Sequence, residues 1–187
     1  MNAWELIDGD NTLLTHFDLN EESIVIDAGG YMGDWSAKII EKYNPYITIY
    51  EPVKEFYDEI YGRFATNLKV EVQNQALWIF NGLVDFGVNN TSSGIYCYKN
   101  IIEVKAVDVV DELDYCNKID LMKINIEGAE IALLLRMVIQ GLISKVDNIL
   151  IQFHSIGNSD EIRKELAYTH ELIFSFPYIW EHWRIKK

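Results

Sequence analysis

Basic residues are in deficit. Sixteen Lys and Arg face 29 Asp and Glu, which leaves a formal net charge of −13 at pH 7. A field of that sign opposes long-range attraction to phosphate backbones and anionic lipid, so the expectation is no nucleic acid and no membrane among the partners. Long hydrophobic runs are also lacking. The most apolar stretch, IALLLRMVIQGLI, is interrupted by Arg136 and Gln140 and falls short of a membrane span. The first ten residues carry Glu5, Asp8 and Asp10, without the basic run and apolar core of a secretion signal. Only two cysteines occur, Cys97 and Cys116, with no CxxC spacing, so reduced thiols in a cytoplasmic protein are expected rather than a disulfide. Four scattered histidines add no ligand spacing for a structural metal. No repeat and no Pro/Gly/Ser linker divides the 187 residues, a length suited to one domain. The expected parts are an N-terminal segment (1–22), a core (23–154) and a C-terminal helix with terminal strands (155–187).

What is present is an alternation of Ile/Val-rich strands with segments of helical period. SIVIDA precedes a helix expected over 34–43, and YITIYE precedes another over 53–64, in which Val53, Phe56, Ile60 and Phe64 share one face. The central LKVEVQNQALWIF, GLVDFGV and NIIEVKAV read as strands with turns. A short helix near 108–114 follows, then IDLMKINI, a helix over 128–138, VDNILIQFH, a helix over 159–169 and two terminal strands. Apolar strands separated by helices imply an α/β three-layer sandwich around a mostly parallel sheet. Ligands of such sheets bind beyond the carboxyl ends of the strands, where the strand order reverses.

DAGGYMG occupies that position, directly after the first strong strand. Gly29, Gly30 and Gly33 lack side chains and tolerate backbone angles that other residues avoid, which lets a ligand lie against the turn. Asp27 ends an apolar strand, where a carboxylate needs a partner. Glu51 in IYEP ends the next strand, eighteen residues beyond Gly33, where an acid can accept both hydroxyls of a ribose. These features indicate a nucleoside cofactor and leave a dinucleotide open. Negative charge at Asp27 and Asp34 suits a cationic sulfonium and ammonium better than a diphosphate, which wants amide donors and no carboxylate.

The second informative stretch is DLMKINIEGAE. Glu127 and Glu130 fall near the amino end of a helix, where negative charge is favoured and capping is an alternative role. Lys123, midway along the strand, requires a buried partner, for which Glu127 or Asp120 is available.

In this order, VIDAGGYMG, IYEP, NQAL, VKAVDVVDELDY, IDLMKINIEGAE and ILIQFH resemble the FkbM-type S-adenosylmethionine-dependent methyltransferases, from about Ser23 to His154. The resemblance implies a Rossmann-like class I methyltransferase fold with a seven-stranded sheet. It also implies O-methylation of a hydroxyl on a sugar or sugar-like acceptor, a small molecule or glycan, with S-adenosyl-L-methionine as cofactor. Carried across, the Asp27, Gly29, Gly30, Tyr31 and Gly33 loop lines the methionine and ribose, Glu51 holds the ribose, and Asn74, Gln75 and Ala76 flank the adenine. Asn125 departs from the family's aspartate; it keeps hydrogen-bonding capacity without charge. Substrate selectivity is then expected from the Asn89–Gly94 stretch, the N-terminal segment and the aromatic tail.

Displacement at a sulfonium depends first on alignment and second on a base. His154 and Glu127 compete for that role, with Asn125 beside them as the third candidate catalytic residue. His16, His170 and His182 are expected on the surface or in packing. Trp180 and Trp183 could stack on a sugar ring, with core packing or a homo-oligomer contact favoured. Two rivals remain: an NAD(P)-linked oxidoreductase or epimerase, for which Tyr50-x-x-x-Lys54 is the available pair, and a non-catalytic binding module of the same fold.

Overall fold

The computed structural model describes residues 2–89, 93–97, 100–154, 159–177 and 179–187. Seven strands form the main sheet: β1 (Ile24–Ala28), β2 (Tyr46–Tyr50), β3 (Val70–Gln73), β7 (Leu121–Ile124), β8 (Asn148–Ile151), β9 (His170–Phe176) and β10 (Trp180–Ile185). Their order is β3-β2-β1-β7-β8-β10-β9. The first five run parallel, while β10 is antiparallel to both β8 and β9. The expected mostly parallel seven-stranded α/β sandwich is what the chain forms.

Alternation along the strands makes the layers. Ile26, Met122, Ile149 and Ile151 pack with Leu113 of α4 (Val109–Leu113), Leu133 and Met137 of α5 (Glu130–Ile139), and Leu166 of α6 (Ser159–Thr169). Val25, Leu121 and Leu150 instead pack with Ile39 of α2 (Asp34–Tyr43), Ile60 of α3 (Lys54–Phe64), and Trp4 of the short α1 (Ala3–Leu6). Successive residues thus enter opposite cores, as the two-residue period of a strand requires. Each such fully buried aliphatic side chain contributes roughly 1.5–3 kcal/mol of burial energy. Trp180 and Trp183 are buried, which resolves the aromatic tail as core.

The central strands divide in a way the sequence pattern did not foresee. β4 (Ala76–Trp78), β5 (Gly82–Gly87) and β6 (Ile101–Asp108) leave the main sheet and form their own, in the order β4-β6-β5. Val53, Trp78, Val84, Phe86, Val104 and Ala129 make a third core beneath it. Ala76, Leu77, Trp78 and Phe86 of this small sheet wall a cleft together with Gly29, Glu51 and Asn125, which follow the carboxyl ends of β1, β2 and β7.

Candidate functional site

Strand β1 ends in a turn that only glycine fits. Gly29 has φ +90°, and a Cβ there would lie 2.0 Å from the carbonyl oxygen of Asn125 at the end of β7. At Gly30 a Cβ would meet Ile49 Cγ2 at 2.5 Å. Gly33, with φ +76°, is the N-cap of α2. The amides of Gly29 and Gly30 both donate to the Tyr50 carbonyl at 3.1 Å, which ties the turn to β2.

Beyond this turn lies a cavity of about 310 Å³, at the small end of ligand sites, which span about 300–1,000 Å³. Its wall takes Gly29 and Tyr31 from the turn, Glu51 from beyond β2, Asn125 and Glu127 from beyond β7, and Gln152 from beyond β8. Phe56, Leu77, Trp78, Phe86 and Ile95 supply an apolar side. No lysine or arginine lines it among the described residues. Tyr31 and Glu127 have φ of 50° and 54°, left-handed conformations that cost about 1–3 kcal/mol each in residues with side chains. Both line this cavity, whereas the other left-handed non-glycine residues, Asp8, Asn44 and Asn100, do not.

Glu51 is buried, and its two oxygens are used symmetrically. Oε2 accepts from the Tyr31 amide at 2.7 Å and Oε1 from the Val53 amide at 2.9 Å. Each oxygen therefore retains a lone pair. Burial pushes the carboxyl up to about 7, against the two amide hydrogen bonds, which pull it down. The Asn125 side-chain oxygen is buried without a hydrogen-bond partner, a condition that costs about 1–3 kcal/mol unless a ligand supplies a donor.

Six of the residues singled out in the sequence meet at the cavity: Gly29, Tyr31, Glu51, Ala76, Asn125 and Glu127. Asp27, Gly30, Gly33, Asn74, Gln75 and His154 do not line it. Asp27 is fully buried, accepting from Ser36 Oγ at 2.6 Å and from Lys123 Nζ at 2.7 Å. Its charge is thus neutralised below the glycine turn. The partner of Lys123 is Asp27 rather than Glu127 or Asp120. Asp34 pairs at the surface with Arg63 at 2.7 Å. Asn74 braces Glu51 by donating to its carbonyl at 3.0 Å and to that of Pro52 at 3.1 Å. Gln75 donates to the Gln73 side chain at 2.9 Å. Of the Asn89–Gly94 stretch, 90–92 lie outside the described residues, while Ser93 joins the wall. Sequence reading missed the apolar side, because Phe56, Trp78 and Phe86 are indistinguishable from core residues until the small sheet is placed.

His154 ends between two acids, with Nδ1 at 2.8 Å from Glu130 Oε1 and Nε2 at 3.3 Å from Glu127 Oε1. Burial disfavours its charged form, yet the two carboxylates outweigh that and raise its pKa to about 10. It is therefore an imidazolium near neutral pH, which removes it as a proton acceptor there. Glu130 is fully buried and also accepts from the amides of Ile126 and Gly128 at 3.1 Å, so the capping role is met. The Tyr50/Lys54 pair of the oxidoreductase reading is broken up. Tyr50 donates its hydroxyl to Glu112 at 2.7 Å, and Lys54 pairs with Asp58.

No family model and no curated protein sequence matches the chain. Solved structures do. An rRNA methylase from Streptococcus thermophilus is similar at 11% identity over 100% of this chain and 98% of its own, with a TM-score of 0.53. A Streptococcus pneumoniae protein assigned as a tRNA (m1A22) methyltransferase, solved in complex with S-adenosyl-L-methionine, gives 11% identity, coverage of 98% and 73%, and a TM-score of 0.54. Precorrin-6y C5,15-methyltransferase from Geobacter metallireducens gives 10%, coverage of 100% and 91%, and 0.54. The exclusion of nucleic acid as a partner is overturned by the first two, whose descriptions name RNA methylation. Net charge sums over the whole surface, whereas an acceptor is engaged locally, so the −13 total did not license that exclusion. No helix among the described residues is long and apolar enough to cross a membrane. In strand order, glycine turn and cleft position, the chain has the Rossmann-like fold of class I methyltransferases.

Proposed function

We propose that the protein is an S-adenosylmethionine-dependent methyltransferase, of FkbM type, that methylates a hydroxyl of a sugar or sugar-like acceptor. The observation that carries the cofactor is Glu51: two carboxylate oxygens, each with one amide bond and one lone pair left, match a vicinal diol. Gly29 lets the ligand approach the turn, and Phe56, Leu77 and Trp78 offer an apolar slot for a flat base beside Ala76. Asn125 Oδ1, which has no partner among the described residues, is available to an N–H or O–H donor. The bound donor supplies a methyl group already activated on a sulfonium. Glu127 is the carboxylate on the wall available to take the acceptor's proton, a contribution of roughly 10²–10⁴-fold where a base is used.

A dinucleotide fits less well, because Glu51 and Glu127 face the cavity and no basic side chain answers a diphosphate. RNA stands as a second acceptor class, favoured by the likeness to RNA methyltransferases. Calorimetry with S-adenosylmethionine, S-adenosylhomocysteine and NADH tests the cofactor. Binding of the first two alone is expected, with at least a tenfold loss in Glu51→Ala; binding of NADH alone, or silence with all three, overturns the proposal. Transfer of labelled methyl to oligosaccharide or to RNA then decides the acceptor.

A further inference from the structure

The turn between β7 and α5 holds an arrangement that base catalysis does not by itself require. Glu127 and Gly128 are consecutive left-handed residues, with φ of 54° and 100°. Glu130 fixes this loop from inside by accepting from the amides of Ile126 and Gly128, and it is fully buried. Its remaining interaction is with His154 Nδ1 at 2.8 Å. The other ring nitrogen, Nε2, reaches Glu127 Oε1 at 3.3 Å. Of these three ionisable residues, only Glu127 lines the cavity. Gly94 closes over the same point: a Cβ there would lie 3.0 Å from Glu127 Cβ.

We infer that His154 is a positioning cation: anchored by Glu130, it holds the Glu127 carboxylate in place and aimed at the cavity, so that Glu127 meets a hydroxyl or amine of the acceptor. The inference deepens the proposed methyl transfer and rests on that reading for its chemistry. An imidazole with both nitrogens engaged by carboxylates must donate from both, and a ring that donates twice is cationic. The charged groups acting on it among the described residues are Glu127, from the β7–α5 turn, and Glu130, from α5. One acid compensates the imidazolium structurally, and the other is left to work.

Glu127 takes the proton as the acceptor oxygen forms its bond to the methyl carbon. The electron pair of the broken C–S bond stays on sulfur, leaving a neutral thioether, and the proton passes from Glu127 to solvent.

The test needs neither donor nor acceptor, so it is separable from the calorimetry above. Protein labelled with ¹⁵N in histidine and ¹³C in the glutamate carboxyl is titrated by NMR from pH 4 to 11. The His154 ring is expected to stay doubly protonated through pH 8, and Glu127→Gln to lower its pKa by at least one unit. His154→Gln is expected to displace the Glu127 carboxyl ¹³C resonance at fixed pH 7, with His154→Arg restoring it. A purely packing role for His154 would leave that resonance unmoved. Titration of the wild-type ring near 6.5 overturns the inference even if a variant fails to fold, and so does an unmoved Glu127 carboxyl resonance in His154→Gln.

Discussion

Asp27 and Lys123 face each other in register on neighbouring parallel strands, 2.7 Å apart and both withdrawn from solvent. Lys123 also donates to the Gly29 carbonyl at 2.8 Å and stacks its ammonium over Trp35. The pair is thus a brace beneath the glycine turn: strand β7 holds the carbonyl of the turn inward, and the turn holds the cavity open. Removing one partner leaves a buried charge unpaired, which costs about 3–5 kcal/mol. Lys123→Met should lose about that much in urea denaturation, and Asp27→Leu a similar amount. The double variant should lose far less than the sum, because neither charge is then stranded. Strict additivity would contradict a direct pair.

Glycine at 29 and glycine at 62 make opposite predictions. At Gly29 the φ of +90° and the 2.0 Å approach to a backbone oxygen leave nothing flexible to yield. Gly29→Ala should lose more than the roughly 1–3 kcal/mol of the strained backbone alone, with donor binding lost as well. Gly62 lies within α3, where a Cβ meets nothing within 4 Å. There the alanine variant should gain about 0.5–1 kcal/mol from helix propensity. Thermal melts of the two variants, run side by side, check the contrast.

Local pattern carried the helices and terminal strands: the stretches expected over 34–43 and 159–169 form α2 and α6 with those bounds. Gly33 and the helical period are signals within one segment. The partner of Lys123 was not legible, because Asp27 lies 96 residues away and meets it only through the β1–β7 register. The same holds for the small sheet, whose strands were recognisable but whose pairing is a tertiary fact. His154 was read as a base from its intrinsic pKa. Its protonation is decided by two acids from the β7–α5 turn and α5, Glu127 and Glu130, which meet it beyond the end of β8, and no single-residue property contains that.

Burial of Glu51 carries a sign. Its pKa rises from 4.5 to about 7 on folding, so between those values the folded state binds more protons than the unfolded. Stability attributable to Glu51 is therefore highest below pH 4.5, falls as pH rises through that window and is lowest above 7. His154 contributes in a separate range: its raised pKa stabilises fully below 6.5 and is lost as pH climbs through about 10. Denaturation midpoints from pH 4.5 to 8, for wild type against Glu51→Gln, isolate the first effect. The difference between the two proteins should widen with pH and level off above 7; a flat difference would mean Glu51 is ionised throughout.

The same titration reports on the ligand. At pH 7 the Glu51 carboxyl is close to half protonated in the free protein, given its value of about 7. A diol placed on Oε1 and Oε2 donates two hydrogen bonds, which favour the ionised form and lower the pKa. Binding of S-adenosylhomocysteine should therefore release about half a proton at pH 7 and almost none at pH 8.5. The release is read from calorimetry repeated in phosphate and Tris, whose ionisation heats differ, and Glu51→Gln should abolish it. Heats independent of buffer in the wild type would place the diol elsewhere on the wall.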